Sequence, residues 1–401
     1  MNRFFVKHEF MLMRKSKKNN MFIVFLAALV FSYCFIVLPN QETIDTIDVD
    51  ELKVLVSDTK ASQESREARG ATGIIQFIGM SAYAQDEYKN KVRNAMVHAF
   101  ENEEYTRYLR FKILNIDSMA FIEDKTLFPK SPFPHKDRSN LLQQMNLRYD
   151  SYLTSDLPVS NEIIEQKTAL QVLSNLLLSP MIYLIFFCAI YFGSDVLVRD
   201  RKNPTVLQGI PLSWYRLINL KTFVAFSYTM LVLLALFIAG MTALTFQNGF
   251  GYFDIQIPVL VPGSEVDFMD SEMISIGKFL LLAIGFIPIL VYLFIRLNMV
   301  LSLVLKNEWL VLLVSSLILF SERLYFTRTL RDIFGVEISH FPQTYFEFGK
   351  VITGAKNFLV NLETITYSKG YLLFIISIVI IEFLLVLIAR IVNKQRFYQT
   401  N

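Results

Sequence analysis

The chain has 401 residues, of which 53% are hydrophobic and 19% charged, with a formal net charge of only +3. Together with a mean hydropathy of +0.40, this composition excludes a wholly soluble chain and points to an integral membrane protein with a substantial polar part. The 2 cysteines, Cys34 and Cys188, both fall in apolar stretches, so a disulfide framework is excluded.

Residues 1–20 carry Arg3, Lys7, Arg14, Lys15, Lys17 and Lys18 against the single acid Glu9, interleaved with Phe4, Phe5, Phe10, Met11 and Leu12. This pattern predicts an amphipathic helix lying in the headgroup plane. Residues 21–38 form an uncharged apolar run about long enough to cross a bilayer. No cleavage-type site precedes Pro39, so the run is expected to be an uncleaved first transmembrane helix rather than a signal peptide.

Residues 39–168 are polar and of domain size. Over 39–169 there are 21 acidic and 16 basic residues, a net of −5. Apolar residues recur at helical spacing from Asp86 to Glu123, and again over 139–153 with Ser139 as the expected cap. The proline-broken stretch 127–135 between them is expected to be an extended loop. A mostly helical extracytoplasmic domain follows.

Further spans are expected at 169–193, 222–246, 278–297, 307–325 and 371–391, the fifth of the chain's six being short and interrupted near Lys306, Asn307 and Glu308. Orientation follows from basic residues in short loops. The N-terminal segment is rich in them. So are 194–221 (Arg199, Arg201, Lys202, Arg216, Lys221), the 297–307 turn between Arg296 and Lys306, and the tail 392–401, entered from Arg390 and carrying Lys394 and Arg396. With six spans these segments share one side, which is then cytoplasmic, and both termini lie there. The polar domain, 247–277 and 326–370 fall outside. Residues 326–370 mix aromatic and apolar side chains with Pro342, Gly349 and Gly354, which suits a re-entrant or interfacial hairpin better than a solvent loop. The fold class expected is thus an all-α polytopic membrane protein.

The segment 194–221 is charged yet carries Val206, Leu207, Ile210, Leu212, Trp214, Leu217 and Ile218 at helix-like spacing. Pro211 suits a first helical turn. Two pieces are expected: a short amphipathic helix ending near Gly209, and a helix led by Pro211 that becomes the third span. The plainer reading is a basic loop anchored at the interface by Trp214; the sharper one is a docking element for another protein.

The run Asp200, Arg201, Thr205, Leu207, Pro211, Ser213 and Lys221 resembles the stretch after the second membrane helix in ABC-2 type transporter permeases. The order of interfacial helix, six spans, and an outer hairpin before the last span resembles that family too, as does 341–354. The large domain between the first two spans occurs in a bacterial subset of it. The departures are Asp200 where the family often has Glu, and Pro204-Thr205 where it often has Gly-Thr. The resemblance implies a coupling helix that docks on a separate ATP-binding cassette ATPase through Asp200, Thr205, Val206, Leu207 and Ile210. It also implies a second permease copy or a related permease as partner, a bacterial plasma membrane, and no nucleotide site, hence no enzymatic activity, on this chain. No cofactor, metal or nucleic-acid partner is expected; His8, His98, His135 and His340 are scattered, and no phosphate loop, HExxH or CxxC occurs.

Glu382 is the exceptional charge in the clear spans. It is either a buried contact to a neighbouring helix or a pathway carboxylate. An otherwise apolar interior suits an amphipathic or hydrophobic cargo such as a peptide, drug or lipid-like molecule. Two rivals stand beside export: a membrane sensor with an extracytoplasmic ligand-binding domain, and a membrane-embedded enzyme, which would need clustered His, Asp or Glu.

Overall fold

The computed structural model describes residues 2–73, 82–116, 128, 131–202, 212–263 and 269–399. The expected docking residues Thr205, Val206, Leu207 and Ile210, together with Pro204 and Pro211, lie outside the described residues.

The molecule is mostly helical. The N-terminal basic segment divides at Ser16 into α1 (Asn2–Lys15) and α2 (Lys17–Ser32). Ser16 is extended and its hydroxyl accepts from the Asn19 amide, so it caps a second helix instead of continuing the first. α1 buries Phe5, Glu9 and Met13, one helical stripe at four-residue steps. α2 runs on through a π-helical turn, Tyr33–Val37.

The polar domain contains α3 (Val49–Ala68), α4 (Ala82–Glu101), α5 (Tyr105–Ile116) and α6 (Pro134–Thr154). α3 packs on α4, α4 on α5, and α5 on α6, around buried Met96, Tyr108, Leu109, Met145 and Tyr149. The long expected helix breaks where Glu103 takes φ 59°, a left-handed conformation that ends a helix. α6 starts at Pro134, not at Ser139. A proline in the first turn loses no helical hydrogen bond, so His135 is helical and Ser139 is interior.

Thr168 leads into α8 (Ala169–Leu178), after the single turn α7 (Asn161–Ile164). The expected continuous second span is broken: α9 (Ile182–Ser194) begins only after Ser179-Pro180-Met181. Ser179 precedes a proline and is extended, φ −86°, ψ 164°, the conformation that proline forces on its predecessor. α10 (Val198–Lys202) follows. α11 (Trp214–Asn248) starts after Ser213 rather than at Pro211; Ser213 is extended, as a residue preceding a helix is.

Residues 247–277 depart from the all-α expectation. β1 (Gln256–Pro262) pairs antiparallel with β2 (Met269–Ser275), Gln256 opposite Ser275. Pro258 and Pro262 argue against a strand, but a two-stranded ribbon has free edges where proline is tolerated. α12 (Ile276–Val304) is longer than expected and takes Arg296 into its interior. α13 (Glu308–Leu319) has 12 residues and stops at Phe320 before α14 (Ser321–Tyr325). At 1.5 Å per residue α13 is about 18 Å long, short of a ~30 Å hydrocarbon core.

Residues 326–370 form a compact cap, not a simple helical hairpin. It includes the two-residue ladder β3 (Asp332–Ile333) and β4 (Val336–Glu337), then α15 (Phe348–Ile352) and α16 (Ala355–Val360). α17 (Tyr367–Ile391) and the tail helix α18 (Lys394–Gln399) follow. Five helices among the described residues are long and apolar enough to cross a membrane: Lys17–Val37, Ile182–Arg201, Trp214–Asn248, Ile276–Val304 and Tyr367–Ile391. This makes the chain a multi-pass membrane protein, with α13 as a sixth, shorter apolar helix.

α9 sits at the centre, against α11, α12 and α13, while α12 also packs on α17. The cap closes one end. Phe348 stacks on Phe286 with centroids 5.4 Å apart, and Tyr367 meets the same ring edge-on at 4.8 Å. Gly354 has φ +67°, and a Cβ there would lie 1.9 Å from the Leu260 carbonyl oxygen. Leu260 and Thr353 also share a backbone bond of 2.8 Å, which joins the β-ribbon to the cap. Gly354→Ala is therefore expected to destabilise by about 1–3 kcal/mol through backbone strain and displacement of this joint. Thermal unfolding in micelles checks it; an unchanged midpoint would contradict the close approach.

Candidate functional site: buried charge clusters at the helix ends

α1, α10 and α11 converge on Lys221. This lysine is 0% exposed. Its Nζ lies 3.0 Å from Glu9 Oε2 and 3.0 Å from Asp200 Oδ2. Arg199 Nη2 donates to the same Glu9 oxygen at 3.0 Å, and the Phe5 ring centroid is 5.7 Å from Lys221 Nζ. Two carboxylates thus face two cations, and the cluster is neutral. A buried lysine is tolerable only when paired and hydrogen-bonded, so Glu9 and Asp200 turn inward. Asp200 is 5% exposed, and the structure gives its carboxylate to Lys221 rather than to an outer surface. The cluster ties α1 to both flanks of residues 203–211.

The second cluster joins three membrane helices. Arg296 of α12 meets Glu382 of α17 through two contacts, Nε to Oε1 at 2.5 Å and Nη2 to Oε2 at 2.7 Å. Arg296 Nη1 donates to Thr222 at 2.9 Å and Nη2 to Asn219 at 2.7 Å, both on α11. Tyr292 and Tyr215 hydroxyls donate to Glu382 at 2.9 and 3.3 Å. The planar guanidinium supplies this fork, which an ammonium group would not. Glu382 therefore has the neighbouring-helix contact, and its side chain remains 26% exposed.

Comparison with family models, curated proteins and solved structures finds no match.

Under the cap lies a third cluster. Lys356 is 1% exposed and pairs with Glu322 and with Glu347, the latter at 3.0 Å. Glu347 also pairs with Arg323 and with Lys350, and Tyr183 of α9 donates to Glu322 at 3.0 Å. Burial raises the Glu347 pKa, but Lys356, Lys350 and Arg323 outweigh it and hold the carboxyl below its ordinary value. These bonds join α9, α14 and the cap.

In the polar domain Asp45 is the hub. Its carboxylate accepts from Arg148 at 2.8 Å, from Gln166 at 2.6 Å and from Tyr149. Its carbonyl accepts from Lys112 Nζ at 3.0 Å, and Ile47 N donates to Glu165 at 2.9 Å. The chain entering the domain is thus bonded to the chain leaving it. Arg328 pairs with Asp137 at 2.5 Å, and Lys136 bonds to Asn361, which fastens the domain to the cap.

Burial lowers the Lys112 pKa to about 8. The unfolded lysine keeps its proton to about pH 10.4, so between these values the unfolded chain binds more protons and stability rises with pH. Raising pH from 8 toward 10 is expected to stabilise the domain by about 2 kcal/mol. Thermal midpoints of the full chain should climb over that window and stay level in Lys112→Met; a wild-type midpoint that falls across the window would refute the assignment.

Sequence reasoning named Glu382 without its partner and passed over Glu9–Lys221. Both had signals: a lone acid in a basic segment, and a lone Arg and a lone Glu in apolar helices, each needing an opposite charge.

Proposed function

We propose that the chain is the membrane-spanning subunit of an ATP-binding cassette exporter of the ABC-2 type. It sits in a bacterial plasma membrane with both termini cytoplasmic, works as a pair of permeases, and hydrolyses no ATP itself. A separate ATPase docks on residues 203–211, with Val206, Leu207 and Ile210 as the apolar contacts. Motion of that ATPase passes through the docked segment into α9–α10 and α11. The observation that carries this reading is the fully buried Lys221, bonded to Glu9 and Asp200. It braces both flanks of the segment against the interfacial helix, so a displacement there reaches the spans instead of being absorbed by a flexible loop.

The cargo is amphipathic or hydrophobic, a peptide, drug or lipid-like molecule, in keeping with spans that are mostly apolar and whose Arg296 and Glu382 are paired with each other. The polar domain, fastened to the cap, shapes the outer exit.

Co-purification tests the docking. An ATP-binding cassette ATPase encoded beside this chain should be retained by the wild type and lost when Val206, Leu207 and Ile210 are replaced by glutamate. Retention unchanged by those replacements, or no ATPase at all, overturns the reading.

A further inference from the structure

Phe397 on the short tail helix is 0% exposed, although its helix, KQRFYQ, is otherwise polar. Its ring touches both flanks of residues 203–211. Trp214, just after the segment, has its ring centroid 4.9 Å away. Arg201, just before it, places its guanidinium carbon 4.3 Å from the Phe397 centroid. Arg201 is itself held by the carbonyls of Leu303 and Leu305, at 2.8 and 3.4 Å, at the end of α12. The tail helix is set by Asn393, whose side chain accepts from the Arg396 amide at 2.9 Å and whose carbonyl accepts from the Phe397 amide at 2.9 Å.

We propose that the C-terminal helix is a clasp, with Phe397 holding together the two points where the chain enters and leaves residues 203–211. A buried phenylalanine is the main apolar contribution a helix this short and polar can make. Seating it between an indole and a guanidinium, both favourable partners for an aromatic face, fixes the spacing of the two flanks. Lys221 holds the flanks Asp200 and α11 on the side of α1, and Phe397 holds Arg201 and Trp214 on the side of the tail. The clasp deepens the docking reading, on which its role in coupling rests: releasing Phe397 would free the flanks and uncouple an ATPase bound there from the spans.

The test uses the full-length chain in detergent micelles. The chain has 2 tryptophans, so a Trp309→Phe background leaves Trp214 as the sole emitter. Phe397→Ala should shift Trp214 emission to the red, raise its quenching by acrylamide, and accelerate tryptic cleavage after Arg201 and Lys202 about tenfold through local opening. Phe397→Leu, which keeps an apolar side chain, should fall between. Emission and cleavage unchanged in Phe397→Ala overturn the clasp. Should that variant not fold, the Trp309→Phe background itself decides: Trp214 quenched by acrylamide as freely as N-acetyltryptophanamide in the same micelles equally overturns the clasp, and clear protection of Trp214 supports it. None of these measurements involves an ATPase. Absence of a co-purifying ATPase from the wild type overturns the docking reading and leaves the clasp standing.

Discussion

Lys221→Met is expected to destabilise the protein by about 3–5 kcal/mol, because it leaves Glu9 and Asp200 buried with Arg199 as the remaining cation. Both carboxylates are within 3.0 Å of the ammonium nitrogen, and Lys221 itself is 0% exposed, so solvent cannot replace it. The partners share one network, hence their costs are not additive. Glu9→Gln/Asp200→Asn added to Lys221→Met should recover much of the loss. Thermal unfolding of the wild type, Lys221→Met and the triple variant in micelles measures this. If the rescued chain is no more stable than Lys221→Met alone, the three side chains do not act as a unit. On the docking reading, the destabilised chain should also lose its ATPase even where it is still inserted.

Glu382→Ala carries the second large effect. Arg296 would keep Thr222 and Asn219 as partners but lose its counter-charge inside apolar helices, at a cost again of about 3–5 kcal/mol. Arg296→Lys should also destabilise, since an ammonium group cannot make the two-pronged contact. The informative variant is the double replacement Arg296→Met/Glu382→Met. Well-packed apolar side chains of similar volume often stand in for a buried pair at little cost, so the double variant should be far more stable than Glu382→Ala. On the export reading, transport then separates the two roles of Glu382. Export retained in the stable double variant assigns the carboxylate to helix packing. Export lost while the midpoint is preserved assigns it to the cargo path.

Much of the architecture was legible in the residues. Long, predominantly apolar runs announced Lys17–Val37, Trp214–Asn248, Ile276–Val304 and Tyr367–Ile391, because a helix in lipid must satisfy its backbone internally and cover itself with apolar side chains. Helical periodicity likewise marked α4, α5 and α6. Boundaries were less accessible. Pro180 splits α8 from α9, and a proline rule applied there would have found it. The start of α11 after Ser213 instead of Pro211 depends on competing first-turn signals within three residues of one another. The β1–β2 ribbon was hidden by its prolines, which a central strand would not tolerate but the free edges of a two-stranded ribbon do.

The sequence by itself determined that this chain crosses a membrane several times, which segments are apolar, and that its basic residues gather in a few short stretches. Those properties follow from hydropathy and charge counted along the chain. Only the tertiary structure decided that Glu9 meets Lys221, that Arg296 meets Glu382, that Asp45 ties the entry of the polar domain to its exit, and that Phe397 lies between Arg201 and Trp214. Each of these pairs is far apart in sequence, and an isolated lysine or arginine reads the same whether it meets solvent, lipid headgroups or a buried carboxylate. Burial removes that ambiguity, since a charge withdrawn from water must find its counter-charge within hydrogen-bond distance, and which one it finds depends on how the helices pack.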